Sequence, residues 1–209
     1  MADAKPKCRL YLKVPAPLTA KLEAQLTQAL ETTSVACVLL CDDGQPIDEI
    51  HGDRLLTLVQ KAGTACLIEN DIMLAERLGA DGVHIHADPE LYTAARAQLG
   101  ESANIGAGCG FARHDAMRLA EMGADYVAFG PDAPDSGAID QCAELTSWWS
   151  EIFVIPSVGW NIADAEQAAR LAGLGADFIA PPKTIWQNDN ALAILGDIDH
   201  AISRVRRTA

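Results

Sequence analysis

Positive charge is scarce in this chain. Sixteen Lys and Arg stand against 29 Asp and Glu in 209 residues, a formal net charge of −13. An acidic chain with no basic stripe repels phosphate backbones, which argues against a nucleic-acid partner. Long apolar runs are missing too. None approaches the ~20 residues that cross a bilayer, so no transmembrane helix and no membrane partner is expected. Met1–Lys7 leads straight into a strand-like run without the apolar stretch of a signal peptide. Cysteines 8, 37, 41, 66, 109 and 142 include no CxxC pair, which removes zinc-ribbon and thioredoxin-type sites and suits reduced thiols in the cytoplasm. Cys37, Cys41, Cys66 and Cys109 lie in or at the end of apolar runs, where a free thiol packs as a small hydrophobe. A GxSxG elbow, a Ser/His/Asp triad and a glycine-rich dinucleotide fingerprint are also lacking. Aromatics are only 5% of the chain, yet the broad hydrophobic share is 49%, too high for disorder. The length fits one domain over residues 1–209, with 1–8 as an N-terminal tail.

What is present is a repeat. Gly-Ala-Asp occurs at 79–81, 123–125 and 175–177, each time between a helical stretch and a short apolar run. Glycine stops the helix in a left-handed cap, Ala-Asp turns the chain, and a strand begins. The same grammar runs throughout. Strand-like runs fall at about 9–14, 35–41, 65–69, 82–86, 104–108, 126–130, 152–157 and 178–181, each followed by a helix-like stretch. Alternating units imply a parallel sheet. Eight units with no leftover strand predict an α/β fold, a single compact (β/α)8 TIM barrel, over the flavodoxin-like open sheet, which needs fewer strands at this length.

A barrel places its active site in the loops after the strands. The acids of those loops are Asp42, Asp43, Glu69, Asp71, Asp88, Asp115, Asp132 and Asp135, and the permanent cations are Arg113 and Lys183. The expected mouth is electronegative and favours metal ions or cationic ligands over a bare polyanion.

Three segments carry a family resemblance. Glu69-Asn-Asp leads through a helix into Gly79-Ala-Asp-Gly-Val-His-Ile; Ile105-Gly leads into Gly123-Ala-Asp-Tyr-Val-Ala-Phe-Gly-Pro; and Ile155-Pro with Gly159 leads into Gly175-Ala-Asp-Phe-Ile-Ala. In this order, over roughly 65–187, they resemble the thiamine phosphate synthase/TenI superfamily. The resemblance implies joining of a hydroxymethylpyrimidine diphosphate to a thiazole phosphate with release of pyrophosphate, magnesium holding the diphosphate. Asp71, after Asn70, matches the family's metal-binding Asp, and Asp88 is the candidate for the second metal ligand. Two carboxylates on adjacent strand ends suit octahedral magnesium. Both also precede helices, so capping is the alternative role.

The anion-binding parts depart from the family. Its inward Gln-x-Arg-x-Lys on the second strand is matched by Val38, Leu40 and Asp42, placing Val38 and Leu40 near the barrel interior or mouth. Its Pro-Thr-x-Thr-Lys in the sixth loop becomes Pro134-Asp135-Ser136-Gly137-Ala138, and its fifth-strand Ser becomes Gly108. At the thiazole-phosphate corner Gly-Gly becomes Val158-Gly159, and Val-Ser becomes Pro182-Lys183. Proline has no N–H to donate. Lys183 is therefore either a replacement point charge or a solvated loop lysine. The candidate ligand-binding residues are Asp42, Asn70, Gly108, Asp135, Gly159 and Lys183, with no catalytic residue assigned.

His84 and His86 share a strand face, and packing is favoured over zinc ligation. The TenI branch carries a catalytic His in the sixth loop; this chain has none there, and His114 falls in a helical first turn. Trp160 and Trp186 could stack on a flat ligand or cap the barrel. Two readings result: a synthase-type transferase with much reduced turnover, or a TenI-like barrel that binds a small molecule such as a thiamine precursor without that chemistry. Homo-oligomer formation is left open.

Overall fold

The protein is described here from a computed structural model, over residues 7–44, 47–131 and 136–205. Strands and helices alternate as β1 (Arg9–Pro15), α1 (Ala20–Thr32), β2 (Val35–Cys41), α2 (Glu49–Lys61), β3 (Ala65–Glu69), α3 (Ile72–Leu78), β4 (Gly82–His86) and α4 (Pro89–Leu99). They continue as β5 (Asn104–Gly110), α5 (Arg113–Met122), β6 (Tyr126–Phe129), α6 (Ile139–Ile152), β7 (Ser157–Trp160), α7 (Ala165–Gly173), β8 (Phe178–Ala180) and α8 (Ala191–Ser203). The strands pair in parallel and in chain order, and β8 returns to β1, so the barrel is closed.

Alternation along each strand builds two cores. One face, including Leu10, Leu12, Val14, Val38, Leu40, Ile68 and Val127, packs outward beneath the helices. The other, including Tyr11, Leu39, Leu67, Tyr126, Val158 and Trp160, fills the barrel interior. This corrects the expected register of β2. Val38 and Leu40 belong to the outer layer, whereas Cys37, Leu39 and Cys41 face inward. Every residue of this run is apolar, so the hydrophobic pattern did not distinguish the two faces; only the pairing with β1 and β3 does.

The Gly-Ala-Asp turns lie at the end opposite the mouth. Gly79, Gly123 and Gly175 have φ of 66°, 101° and 107°, the left-handed region that glycine adopts freely. The Asp that follows ties its turn to the start of the preceding strand. Asp81 Oδ2 accepts from Cys66 N at 2.8 Å, Asp125 Oδ2 from Ile105 N at 2.7 Å, and Asp177 Oδ2 from Ser157 N at 2.9 Å. In each case the Asp backbone N–H returns a bond to the same residue's carbonyl. The repeat is thus a structural staple, one bidentate link per unit.

One strand boundary differs from expectation. The apolar run at 152–157 is not β7. Helix α6 continues to Ile152, Val154 is fully exposed, and pairing with β6 starts at Ser157. The apolar residues serve the helix instead: Phe153 stacks on Trp149 at 3.9 Å, and Trp149 Nε1 donates to the Ile155 carbonyl at 2.7 Å. Among the described residues, no helix is long and apolar enough to cross a membrane.

Candidate active site at the barrel mouth

A cavity of about 500 Å³ opens at the C-terminal ends of the strands, within the range typical of small-molecule sites. Its floor is aromatic. His84 lies between Tyr126, with ring centroids 5.7 Å apart, and Trp160, at 4.6 Å and 13° from parallel. Its Nδ1 is 3.0 Å from the Tyr126 hydroxyl, which is 2.7 Å from the Tyr11 hydroxyl. Burial pushes the His84 pKa down to about 3, so the imidazole is neutral near pH 7. This is the packed role expected of His84, while His86 is exposed at the rim.

Glycine backbone forms the β5–β6 side of the cavity, through Gly108, Gly110 and Gly130. A Cβ at Gly108 would sit 3.1 Å from His84 Nε2, so bare backbone there leaves room for the imidazole. The β1, β2, β3 and β7 side is polar. Lys13 is only 6% exposed; its Nζ donates to Asn161 Oδ1 and lies 4.3 Å from the centre of the Trp160 ring. Asn161 is held at φ 59°, and its Nδ2 donates to the Pro131 carbonyl at 2.6 Å. Burial raises the pKa of Glu69, and Lys13 and Lys183 oppose the rise. Burial likewise keeps the Cys41 thiol well above its ordinary range, hence neutral.

Four of the expected ligand-binding residues, Asp42, Asn70, Gly108 and Lys183, line this cavity. Asn70 sits at φ 54° and accepts from His86 N through Oδ1 at 3.0 Å, which leaves its amide nitrogen as the group for a ligand. Lys183 bridges two loops: Nζ donates to the Asp42 carbonyl at 2.7 Å and lies 3.2 Å from Asp43 Oδ1. Gly159 points away, since a Cβ there would meet Leu171, Ile179 and Ile162 in the outer layer; its neighbour Trp160 lines the cavity instead. Asp135 lies outside the described residues. Arg113 pairs with Glu144 at 2.6 Å and covers Trp148, so it serves the helix layer.

Asp71 and Asp88 follow the ends of neighbouring strands β3 and β4, and both cap helices. Asp71 Oδ1 accepts from Leu74 N at 2.8 Å, and Asp88 Oδ1 from Glu90 N at 2.8 Å. Each cap uses one oxygen. Among the described residues no group of three or more His, Cys, Asp or Glu is arranged to hold a metal. Neither Asp71 nor Asp88 lines the mouth cavity, whose β3–β4 side is formed by Glu69, Asn70, Ile85 and His86.

The sequence reading missed Lys13, the Tyr11–Tyr126–His84 chain and Asn161. Lys13 had a signal: it alternates with Leu12 and Val14 in β1, so it must face inward. Trp186, weighed as a stacking surface, is buried with Nε1 donating to the Lys13 carbonyl at 2.7 Å. Trp160 already has His84 stacked on it.

A closed parallel barrel with a polar cavity at its C-terminal mouth places the chain among the TIM-barrel proteins. A family model described as thiamine monophosphate synthase (TMP-TENI) matches residues 10–185, and the chain belongs to this family. The thiamine-phosphate synthase of Erythrobacter litoralis (strain HTCC2594) is 34% identical over 203 residues, covering 93% of this chain and 95% of the relative. That of Hyphomonas neptunium (strain ATCC 15444) is 35% identical over 203 residues, 92% of each. Among solved structures, thiamine phosphate pyrophosphorylase from Pyrococcus furiosus matches with a TM-score of 0.73 at 16% identity, over 92% of this chain and 95% of that one. Tryptophan synthase from Mycobacterium tuberculosis matches with a TM-score of 0.74 at 13% identity, over 94% and 93%. These structural likenesses establish the fold alone.

Proposed function

We propose that this chain acts on thiamine precursors in the mouth cavity, as a synthase-type transferase of low turnover. The observation that carries the reading is the conjunction of family membership over residues 10–185 with a cavity of about 500 Å³ at the matching end of the barrel. In the reaction, the bond from the pyrimidine methylene to the diphosphate oxygen breaks, and its electron pair leaves with pyrophosphate. The thiazole nitrogen then bonds to the methylene carbon. Asn70 offers an amide donor at the cavity wall, and the buried aromatic floor keeps water from the methylene. Asp71 and Asp88 would hold magnesium through the oxygens that their caps leave, and the ion would supply charge neutralisation on the leaving diphosphate.

Low turnover follows from β2. Val38, Leu40 and Asp42 match the family's Gln, Arg and Lys, and the inward positions of the strand, Cys37, Leu39 and Cys41, bring no cation to the cavity either. Loss of one preorganised anion donor typically costs ~10²–10³ in rate. The same three residues favour a second reading, a barrel that binds a precursor without turnover.

The deciding assay supplies pyrimidine diphosphate, thiazole phosphate and magnesium, and follows thiamine phosphate. The expected result is formation at least ~10²-fold slower than by a family member with the full triad. The rate should fall further on removal of magnesium and in Asp71→Ala. Ordinary family turnover refutes the depleted-site reading. No turnover, with thermal stabilisation by a single precursor, supports the binding-only reading.

A further inference from the structure

We propose that Glu69 is a specificity residue of the mouth cavity: its carboxyl accepts from the exocyclic amine of an aminopyrimidine while the adjacent Asn70 amide donates to the ring nitrogen beside that amine. The inference deepens the proposed function and rests on it for the choice of a pyrimidine among flat nitrogen heterocycles.

Three observations converge. The first is facing. In β3, Leu67 belongs to the barrel interior and Cys66 and Ile68 to the outer layer, so strand alternation turns Glu69 inward, and it lines the cavity. Asn70, the next residue, would face outward on the same period; its φ of 54° breaks the alternation, and it lines the cavity as well. The second is complementarity. Asn70 Oδ1 is taken by His86 N at 3.0 Å, which fixes the amide with its nitrogen as the donor. A carboxyl accepts in either protonation state. Two consecutive residues therefore show one acceptor and one donor to the cavity, the counterpart of an amine beside a ring nitrogen. A ligand made of phosphate oxygens alone has no N–H to give to Glu69. The third is surroundings. Glu69 pairs with the buried His84 across the β3–β4 ladder and meets the Cys41 thiol from β2, and both neighbours are neutral. Among the described residues no salt bridge ends on Glu69, and Lys183 is engaged with Asp42 and Asp43. A half-buried acceptor in such a wall gains from a ligand donor. Gly108, Gly110 and Gly130 leave the β5–β6 side of the cavity without side chains, which gives a flat ring room.

The test is a ligand-observed NMR titration with 4-aminopyrimidine and with 4-methylpyrimidine, which has a methyl in place of the amine. Neither probe needs magnesium or turnover. The chains compared are wild type, Glu69→Leu, Glu69→Ala and Glu69→Gln. Wild type should prefer the amine-bearing ring. That preference should fall by about 3–10-fold in Glu69→Leu and Glu69→Ala, the worth of one hydrogen bond, and by less than ~2-fold in Glu69→Gln, which keeps an acceptor oxygen. Melting curves check that each variant folds, and Glu69→Ala keeps the question answerable if Leu disturbs the wall. A wild type that binds neither ring, or both equally, overturns the proposal. So does a preference that persists in a folded Glu69→Leu or Glu69→Ala chain, or one that Glu69→Gln loses as completely as they do. The thiamine phosphate assay is read separately. A wild type without turnover whose amine preference depends on Glu69 keeps this site and removes the synthase reading. Turnover with a preference that survives Glu69→Leu keeps the synthase reading and removes this site.

Discussion

The aromatic floor of the cavity depends on a missing side chain. A Cβ at Gly106 would lie 1.8 Å from Tyr126 Cζ and 2.2 and 2.3 Å from the two adjoining ring carbons. Carbon atoms rest at ~3.5–4.0 Å, so Gly106→Ala requires the ring or the strand to move by about 2 Å. The strand is held on both sides, because Gly106 pairs with His84 on β4 and with Tyr126 on β6. The ring must therefore yield, and with it the hydroxyl contacts to Tyr11 and His84. Overpacking costs ~1–3 kcal/mol, and each buried hydrogen bond lost costs ~0.5–1.5 kcal/mol. The expected destabilisation is about 2–6 kcal/mol, a large part of the ~5–15 kcal/mol that a domain has. Urea unfolding followed by circular dichroism and tryptophan fluorescence measures it. Repeating the substitution in a Tyr126→Ala background identifies the cause. With the ring gone, the new methyl enters vacated space, and the penalty should fall below half. Additivity within ~0.5 kcal/mol would mean that the two sites do not meet, and a Gly106→Ala chain as stable as wild type would refute the steric argument outright.

Two further outcomes follow from the same structure. Asp81→Ala, Asp125→Ala and Asp177→Ala should each lower stability by ~1.5–3 kcal/mol, as hydrogen bonds to a charged group are lost, while pyrophosphate affinity stays at the wild-type value; Asp125→Ala should cost more than Asp81→Ala, because Arg96 also pairs with Asp125 at 2.8 Å. His84 has a folded pKa of about 3 against an ordinary 6.5, so below pH ~6.5 the unfolded chain takes up a proton that the folded chain refuses. Its contribution is complete above that pH and falls by ~1.4 kcal/mol per unit toward pH 3. Glu69, raised by burial, acts in the opposite sense, so the comparison is made in Glu69→Gln with and without His84→Gln; equal slopes between pH 7 and 5 would refute the buried-imidazole assignment.

The fold was legible in the sequence because its signal repeats. Gly-Ala-Asp between helix and strand occurs three times, and each copy stands for the same pair of hydrogen bonds at the same end of the barrel. The failures came where period was lost. Cys37 to Cys41 is apolar at every position, since a strand buried on both faces has no polar side to mark its orientation. The run after Trp149 is apolar for packing on a helix end, and strand pairing begins only beyond Pro156. Site residues were legible where a loop position alone decides access, as for Asn70 and Lys183, and illegible where facing decides it, as for Gly159.

Facing also determines how the charge balance of the mouth is understood. By loop composition, the cavity is ringed by carboxylates with one useful lysine. Lys13 changes that account because a strand residue was hidden in an apolar run, and because burial multiplies the weight of a single charge. The carboxylates have partners of their own: Asp71 and Asp88 cap helix N-termini, Asp43 pairs with Lys183, and burial raises the pKa of Glu69. A mouth that is acidic by loop count therefore also contains a buried lysine, held against Asn161 and the Trp160 ring. In a barrel whose interior volume is taken by Tyr11, Tyr126, His84 and Trp160, a lysine reaching up from β1 places that charge without a second long side chain on β2.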